Sequence, residues 1–227
     1  MIVTICGGKG GVGKSTVALN LAAELDAVLV DADIGMADLP TDRGPTLHDV
    51  LAGHVDVLEA IREDWAVGVL PAGRSLAGAR SVDLGEFESA LSTLDGKYRW
   101  VVVDSPAGFD ADAAIAIVAA DVCVLVTTPD PATIADGLRT RSLARELDTG
   151  IGAVVLNRAA ETQEVITDVL GGPQVPIPES TALHESQREG VPLALGGSDS
   201  AVSEAFSALG RHLSRLERDA RLGGSQA

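Results

Sequence analysis

Apolar residues in the 227-residue chain fall into short continuous runs, separated by stretches whose apolar positions recur at helical spacing. The runs predict strands at Ile2–Cys6, Val28–Asp31, Val67–Leu70, Trp100–Asp104, Val122–Thr127, Gly152–Asn157 and Gln174–Ile177. Several are β-branched and apolar at successive positions, as strands covered on both faces of a parallel sheet must be. The spacing predicts helices over Lys14–Leu25, Leu84–Leu94, Ala111–Ala119, Thr133–Leu147, Gln163–Leu170, Thr181–Glu189 and Ala201–Leu222. This alternation implies an α/β fold: a doubly wound, mostly parallel sheet of about seven or eight strands, with helices on both faces and ligands at the carboxyl ends of the strands. No repeat or linker divides the chain, so residues 1–222 are expected to form one domain and 223–227 a flexible tail. The segment from Gly35 to Trp65 reads as short helix and loop of the kind that sits over a site.

Composition narrows the class. Residues are 46% apolar, yet 33 acidic side chains against 17 basic ones give a net charge of −16. Disorder needs low hydrophobicity as well as high charge, so most of the chain is expected to fold. Cys6 and Cys123 both lie inside apolar runs and read as reduced core thiols of a cytoplasmic protein. No apolar run reaches the roughly 18 residues needed to span a bilayer, and the first residues lack the basic start of a signal peptide. Only Lys9, Lys14 and Lys97 are lysines, and the acidic surface suggests a high-salt cytoplasm. Nucleic acid is not expected as a partner, since phosphate affinity comes from Lys and Arg, and six aromatic residues leave little for base stacking.

Chemistry enters directly after the first predicted strand. Gly8-Lys9-Gly10-Gly11-Val12-Gly13-Lys14-Ser15 is a complete G-x-x-x-x-G-K-[ST] between a strand and a helix. Such a loop turns successive N–H groups around a phosphate, Lys14 reaches the β and γ phosphates, and Ser15 offers its hydroxyl to Mg²⁺. Two of the three lysines sit here, which a ligand-free glycine turn would not explain. Asp31 and Asp33 end the second strand and Asp104 the fourth, so all three are expected at the crevice where the loop emerges. Asn157 ends the sixth strand, where a side-chain amide can both donate to and accept from an adenine edge. His48, His54, His184 and His212 show no metal-ligand spacing, and no Cys-x-x-Cys occurs.

The string from Lys9 through Ser15 to Thr16 resembles the deviant phosphate loop of the MinD/ParA ATPases, with its additional lysine near the start. Val28 to Gly35, ending in Asp31-Ala32-Asp33-Ile34-Gly35, is similar to the first switch of MinD, and Asp104-Ser105-Pro106-Ala107-Gly108 to its second. Ile177-Pro178-Glu179-Ser180 followed by Glu189-Gly190-Val191-Pro192 is similar to the closing segment, so the likeness covers roughly residues 1 to 215. It implies a P-loop NTPase that hydrolyses ATP slowly with Mg²⁺ and a partner's activation. Gly8 to Thr16 would hold the nucleotide, with Asn157, Pro178 and Glu179 at the base; MinD sequences differ at the Asn157 position, which leans toward ParA. Asp104 would hold Mg²⁺ with Ser15, Asp31 would support it, and Asp33 would orient the attacking water. Lys9 would reach in trans across an ATP-dependent homodimer, much as an arginine finger does, and Asp136 lies where the family carries a dimer-face aspartate.

The function implied is a dimerising switch that positions other cell components, with a protein activator or cargo. The alternative is a biosynthetic ATP-dependent amidase or synthetase of the same superfamily, which generally needs no trans lysine. Bacterial MinD continues into a basic amphipathic helix that docks on membrane. Here Glu217 to Ala227 holds only Leu222 as a large apolar residue, so no autonomous membrane binding is expected.

Overall fold

The computed structural model describes residues 1–33, 44–63, 66–73, 84–193 and 200–224. The expectations for Ile34, Gly35 and Trp65 fall outside the described residues. Strands β1 (Ile2–Cys6), β2 (Val28–Asp31), β3 (Val69–Leu70), β4 (Val101–Asp104), β5 (Val122–Thr127), β6 (Gly150–Asn157) and β7 (Gln174–Ile177) form one sheet. Their order is β3-β2-β4-β1-β5-β6-β7, and every strand pair is parallel. β3 is two residues long rather than the expected four, with one antiparallel bridge from Val69 to Arg62.

Side-chain alternation at a period of two sorts the strands into two buried faces. Val3, Ile5, Leu29, Val102, Val124, Val126 and Val155 meet one helical layer. That layer comprises α1 (Lys14–Leu25), α7 (Thr181–Glu189) and the last helix, α8 (Ser200–Gly224). The opposite face packs in two groups. Val28, Val30, Val101 and Val103 meet Phe87, Leu91 and Leu94 of α3 (Leu84–Lys97), and the short α2 (Leu47–Leu51) joins them through Leu47. Cys6, Cys123, Leu125, Val154 and Leu156 meet α4 (Ala111–Val118), α5 (Pro131–Glu146) and α6 (Glu164–Leu170). Each such side chain contributes roughly 1.5–3 kcal/mol when fully buried, so both faces are needed to hold the sheet. The Cys123 thiol is pushed well up by its hydrogen bond with Cys6 and by burial, which keeps this free thiol protonated and unreactive.

Helix ends depart from the sequence expectation where capping chemistry was overlooked. α5 starts at Pro131, two residues early, because Asp130 caps it by accepting from the Ala132 N–H at 2.7 Å and proline suits the first helical position. α3 runs on past Leu94 to Lys97, and α8 continues to Gly224, into the segment expected to be a tail.

Candidate active site

The parallel sheet gathers all strand carboxyl ends at one edge, and the chain departs to opposite sides of β1 through its neighbours β4 and β5. That switch point is where an α/β sheet opens a crevice. The phosphate loop leaves β1 at this point and runs into α1, whose first residue is Lys14. Gly13 enters the helix at φ 101°, a conformation natural to glycine. A Cβ on Gly8 would lie 2.5 Å from Phe109 Cζ and 2.9 Å from the Asp136 carbonyl oxygen. The loop's first turn therefore rests against both the segment following β4 and helix α5.

A cleft of about 300 Å³ opens above the loop, bordered by Gly10, Gly11, Gly13, Lys14, Ser15 and Thr16. Asp33, Ser105 and Ala107 border it from β2 and β4, and Asn157, Arg158, Pro178 and Glu179 from β6 and β7. Leu183 and His184 of α7 complete that wall. The sequence had singled out most of these residues, but had passed over Arg158 and had read His184 only as a non-ligand.

Five expected site residues, Gly8, Lys9, Val12, Asp31 and Asp104, lie outside the cleft lining. Asp31 and Asp104 do not line the cleft; their side chains are 1% and 2% exposed, buried at the strand ends. Asp31 Oδ1 accepts from the Asp33 N–H at 3.1 Å, forming the short turn that carries Asp33 to the cleft. Lys9 is exposed and does not line the cleft, whereas Lys14 is buried within it. Asn157 reaches the cleft, yet its amide is engaged by the backbone: Nδ2 donates to the Val12 carbonyl at 2.8 Å and Oδ1 accepts from the Arg158 N–H at 3.0 Å. Asp136 faces the Gly8 turn and pairs with Arg139 at 3.1 Å.

The donor set suits a hard cation. Ser15, Asp31 and Asp104 offer oxygen alone, and no described cluster of three or more His, Cys, Asp or Glu could cage an ion by itself. A cation that keeps several waters and takes its remaining ligands from phosphate fits such a set, and Mg²⁺ is that cation. Bound there, it would neutralise phosphate charge.

Residues 3–193 match the sequence profile of the CobQ/CobB/MinD/ParA nucleotide-binding domain. The chain belongs to this family. It is 32% identical to an ATP-binding protein of Methanocaldococcus jannaschii, over 97% of this chain and 90% of that one. The structure matches the septum site-determining protein MinD of Pyrococcus horikoshii complexed with Mg-ADP at a TM-score of 0.85. The two share 29% identity, over 95% of this chain and 96% of that one. It also matches the cell division ATPase MinD of Pyrococcus furiosus at a TM-score of 0.84 and 31% identity, over 95% and 98%. The chain is a MinD/ParA-type ATPase, with ATP and Mg²⁺ as its ligands. Likeness along nearly the whole chain to MinD favours this reading over a biosynthetic amidase or synthetase.

Proposed function

We propose that the protein is a nucleotide-gated homodimer that positions other components of the cell. One observation carries the reading: Lys9 stands exposed beside a glycine apex where an added Cβ at Gly10 or Gly11 would meet no atom within 4 Å. An exposed lysine that does not line the cleft, on open backbone beside it, supports a role toward the nucleotide of a second copy. In this reading the N–H groups from Gly8 to Thr16 cradle phosphate and Lys14 neutralises it. Ser15 and Asp104 hold Mg²⁺ with support from Asp31, and Asp33 orients water. Pro178, Glu179 and Asn157 border the base, with Asn157 already committed to the loop.

ATP would close the Lys9 face, and loss of the γ phosphate would release it together with a bound protein partner. The proposed site of action is the cytoplasm, a reading that the two buried free cysteines support. A net charge of −16 turns the surface away from nucleic acid. Light scattering with ATP, with ADP and without nucleotide tests the proposal, and a doubling of mass confined to ATP is expected. A mass that never responds to nucleotide would remove the switch and leave a monomeric ATPase.

A further inference from the structure

β6 ends on Asn157, and the side chains of Asn157 and Arg158, which border the cleft, both bond the backbone of the phosphate loop. Asn157 Nδ2 donates to the Val12 carbonyl at 2.8 Å, and Arg158 Nη2 donates to the Gly11 carbonyl at 2.9 Å. The two grips are tied together by the Arg158 N–H, which donates to Asn157 Oδ1 at 3.0 Å. Arg158 adopts φ 59°, a left-handed conformation uncommon outside glycine, asparagine and aspartate, so the chain turns sharply as it leaves the strand. Loop and amide approach as closely as the backbone permits, for a Cβ on Gly13 would lie 2.3 Å from Asn157 Nδ2.

Pinning a carbonyl also aims a donor. A trans peptide plane sets each C=O opposite the N–H of the next residue, and no described peptide bond is cis. The Arg158 contact to Gly11 therefore fixes the direction of the Val12 N–H, and the Asn157 contact to Val12 fixes that of the Gly13 N–H. Both are donors of the loop that receives phosphate. A guanidinium gives its carbonyl a charge-assisted bond, stronger than a neutral donor would.

We propose that Arg158 is a positioning residue that, with Asn157, aims the N–H donors of the phosphate loop. The pair then sets affinity for the polyphosphate of the nucleotide rather than for its base. The inference rests on the loop being the phosphate site. It also explains why the Asn157 amide is spent inside the chain instead of waiting for an adenine edge.

Calorimetric titration of the full chain with ATP, ADP and inorganic tripolyphosphate separates the possibilities. Arg158→Ala is expected to weaken all three by a similar factor, about 5–20-fold, while the melting temperature without ligand stays unchanged. Arg158→Lys keeps a charged donor of similar reach and should recover most of the loss. Arg158→Met, which keeps the stem without the donors, repeats the comparison if Arg158→Ala does not fold. Unchanged affinities, or a loss that spares tripolyphosphate, would overturn the proposal, the latter by moving Arg158 to the base or ribose. A wild-type chain that binds none of the three would instead count against the phosphate-loop reading itself.

Discussion

Asp31 and Asp104 are register partners at the ends of β2 and β4, and both side chains are almost fully buried. Partners in parallel register project to the same side of the sheet, so two carboxylates are brought together. Like charges repel strongly in a poorly solvated place, and a divalent cation near them relieves the repulsion. Asp104→Asn is therefore expected to abolish the Mg²⁺ dependence of ATP-induced thermal stabilisation and to lower hydrolysis by at least about 100-fold. Asp31→Asn should act less on turnover and more on the placement of Asp33, whose N–H it holds. Mg²⁺-dependent turnover within about threefold of wild type in Asp104→Asn would take that residue out of the metal site.

Lys9 and Asp33 are predicted to act on opposite sides of one cycle. Asp33 borders the cleft, so Asp33→Ala should still bind ATP but lose roughly 10³-fold or more in hydrolysis and accumulate as the dimer. Lys9→Ala added to that background should return the protein to a monomer while binding to its own cleft persists. Light scattering and nucleotide binding measured on the same samples check both halves. If the double variant remains dimeric, Lys9 is a solvated surface lysine and the dimer is held by other contacts.

Local signals made much of this molecule readable. β1, α1, β2, β5, β7 and α7 begin and end where the apolar runs and helical spacing place them; apart from the short and weakly patterned β7, each is a clear run bounded by turn residues. The phosphate loop was legible for the same reason, being contiguous in sequence. What stayed hidden depends on residues far apart in the chain. Arg158 is an unremarked arginine until Gly11, 147 positions earlier, is folded against it. Burial of Asp31 and Asp104 follows from their pairing across two strands, which no periodicity reports. Nothing local in the sequence marks Glu217 for burial, yet its side chain is 3% exposed. The early start of α5 was a plain misreading, since Asp130-Pro131 is a visible start signal.

Glu217 gives the fold a pH dependence of definite sign. Arg99 bonds its carboxylate through Nη2 at 2.8 Å, and Arg221 approaches at 2.8 Å from the next turn of α8. The Arg99 hydrogen bond holds the Glu217 carboxyl below its ordinary value, outweighing the opposing effect of burial. A carboxylate lowered on folding contributes stability that is present above its unfolded value and lost as pH falls through the folded one. Wild type should therefore lose melting temperature relative to Glu217→Gln as pH drops below about 4.5, with the difference largest at neutral pH. Arg99→Ala should lower the neutral-pH melting temperature and shift the acid transition upward. Parallel melting curves for wild type and Glu217→Gln from pH 7 to pH 3 would show that the pair contributes nothing.

The last helix bears on whether the protein can hold a membrane by itself. Its apolar side chains Val202, Phe206, Leu209 and Leu213 are buried in the core against the sheet and α1, so they are not available to lipid. Leu222, 70% exposed, is the large apolar side chain that α8 leaves in solvent. Surface anchoring draws on buried apolar area and on attraction of basic residues to anionic headgroups. Arg211, Arg215 and Arg218 are exposed, but they belong to a chain of net charge −16, and salt at 0.15 M screens them beyond about 8 Å. The chain should therefore stay in the supernatant when sedimented with anionic vesicles, with ATP or without. Truncation after Leu216 is a poor control because it deletes Glu217, the buried partner of Arg99. Leu222→Ser combined with Arg218→Glu leaves that pair in place and removes what little the tail offers. ATP-dependent sedimentation of wild type that the double substitution abolishes would show that this short tail is an anchor after all.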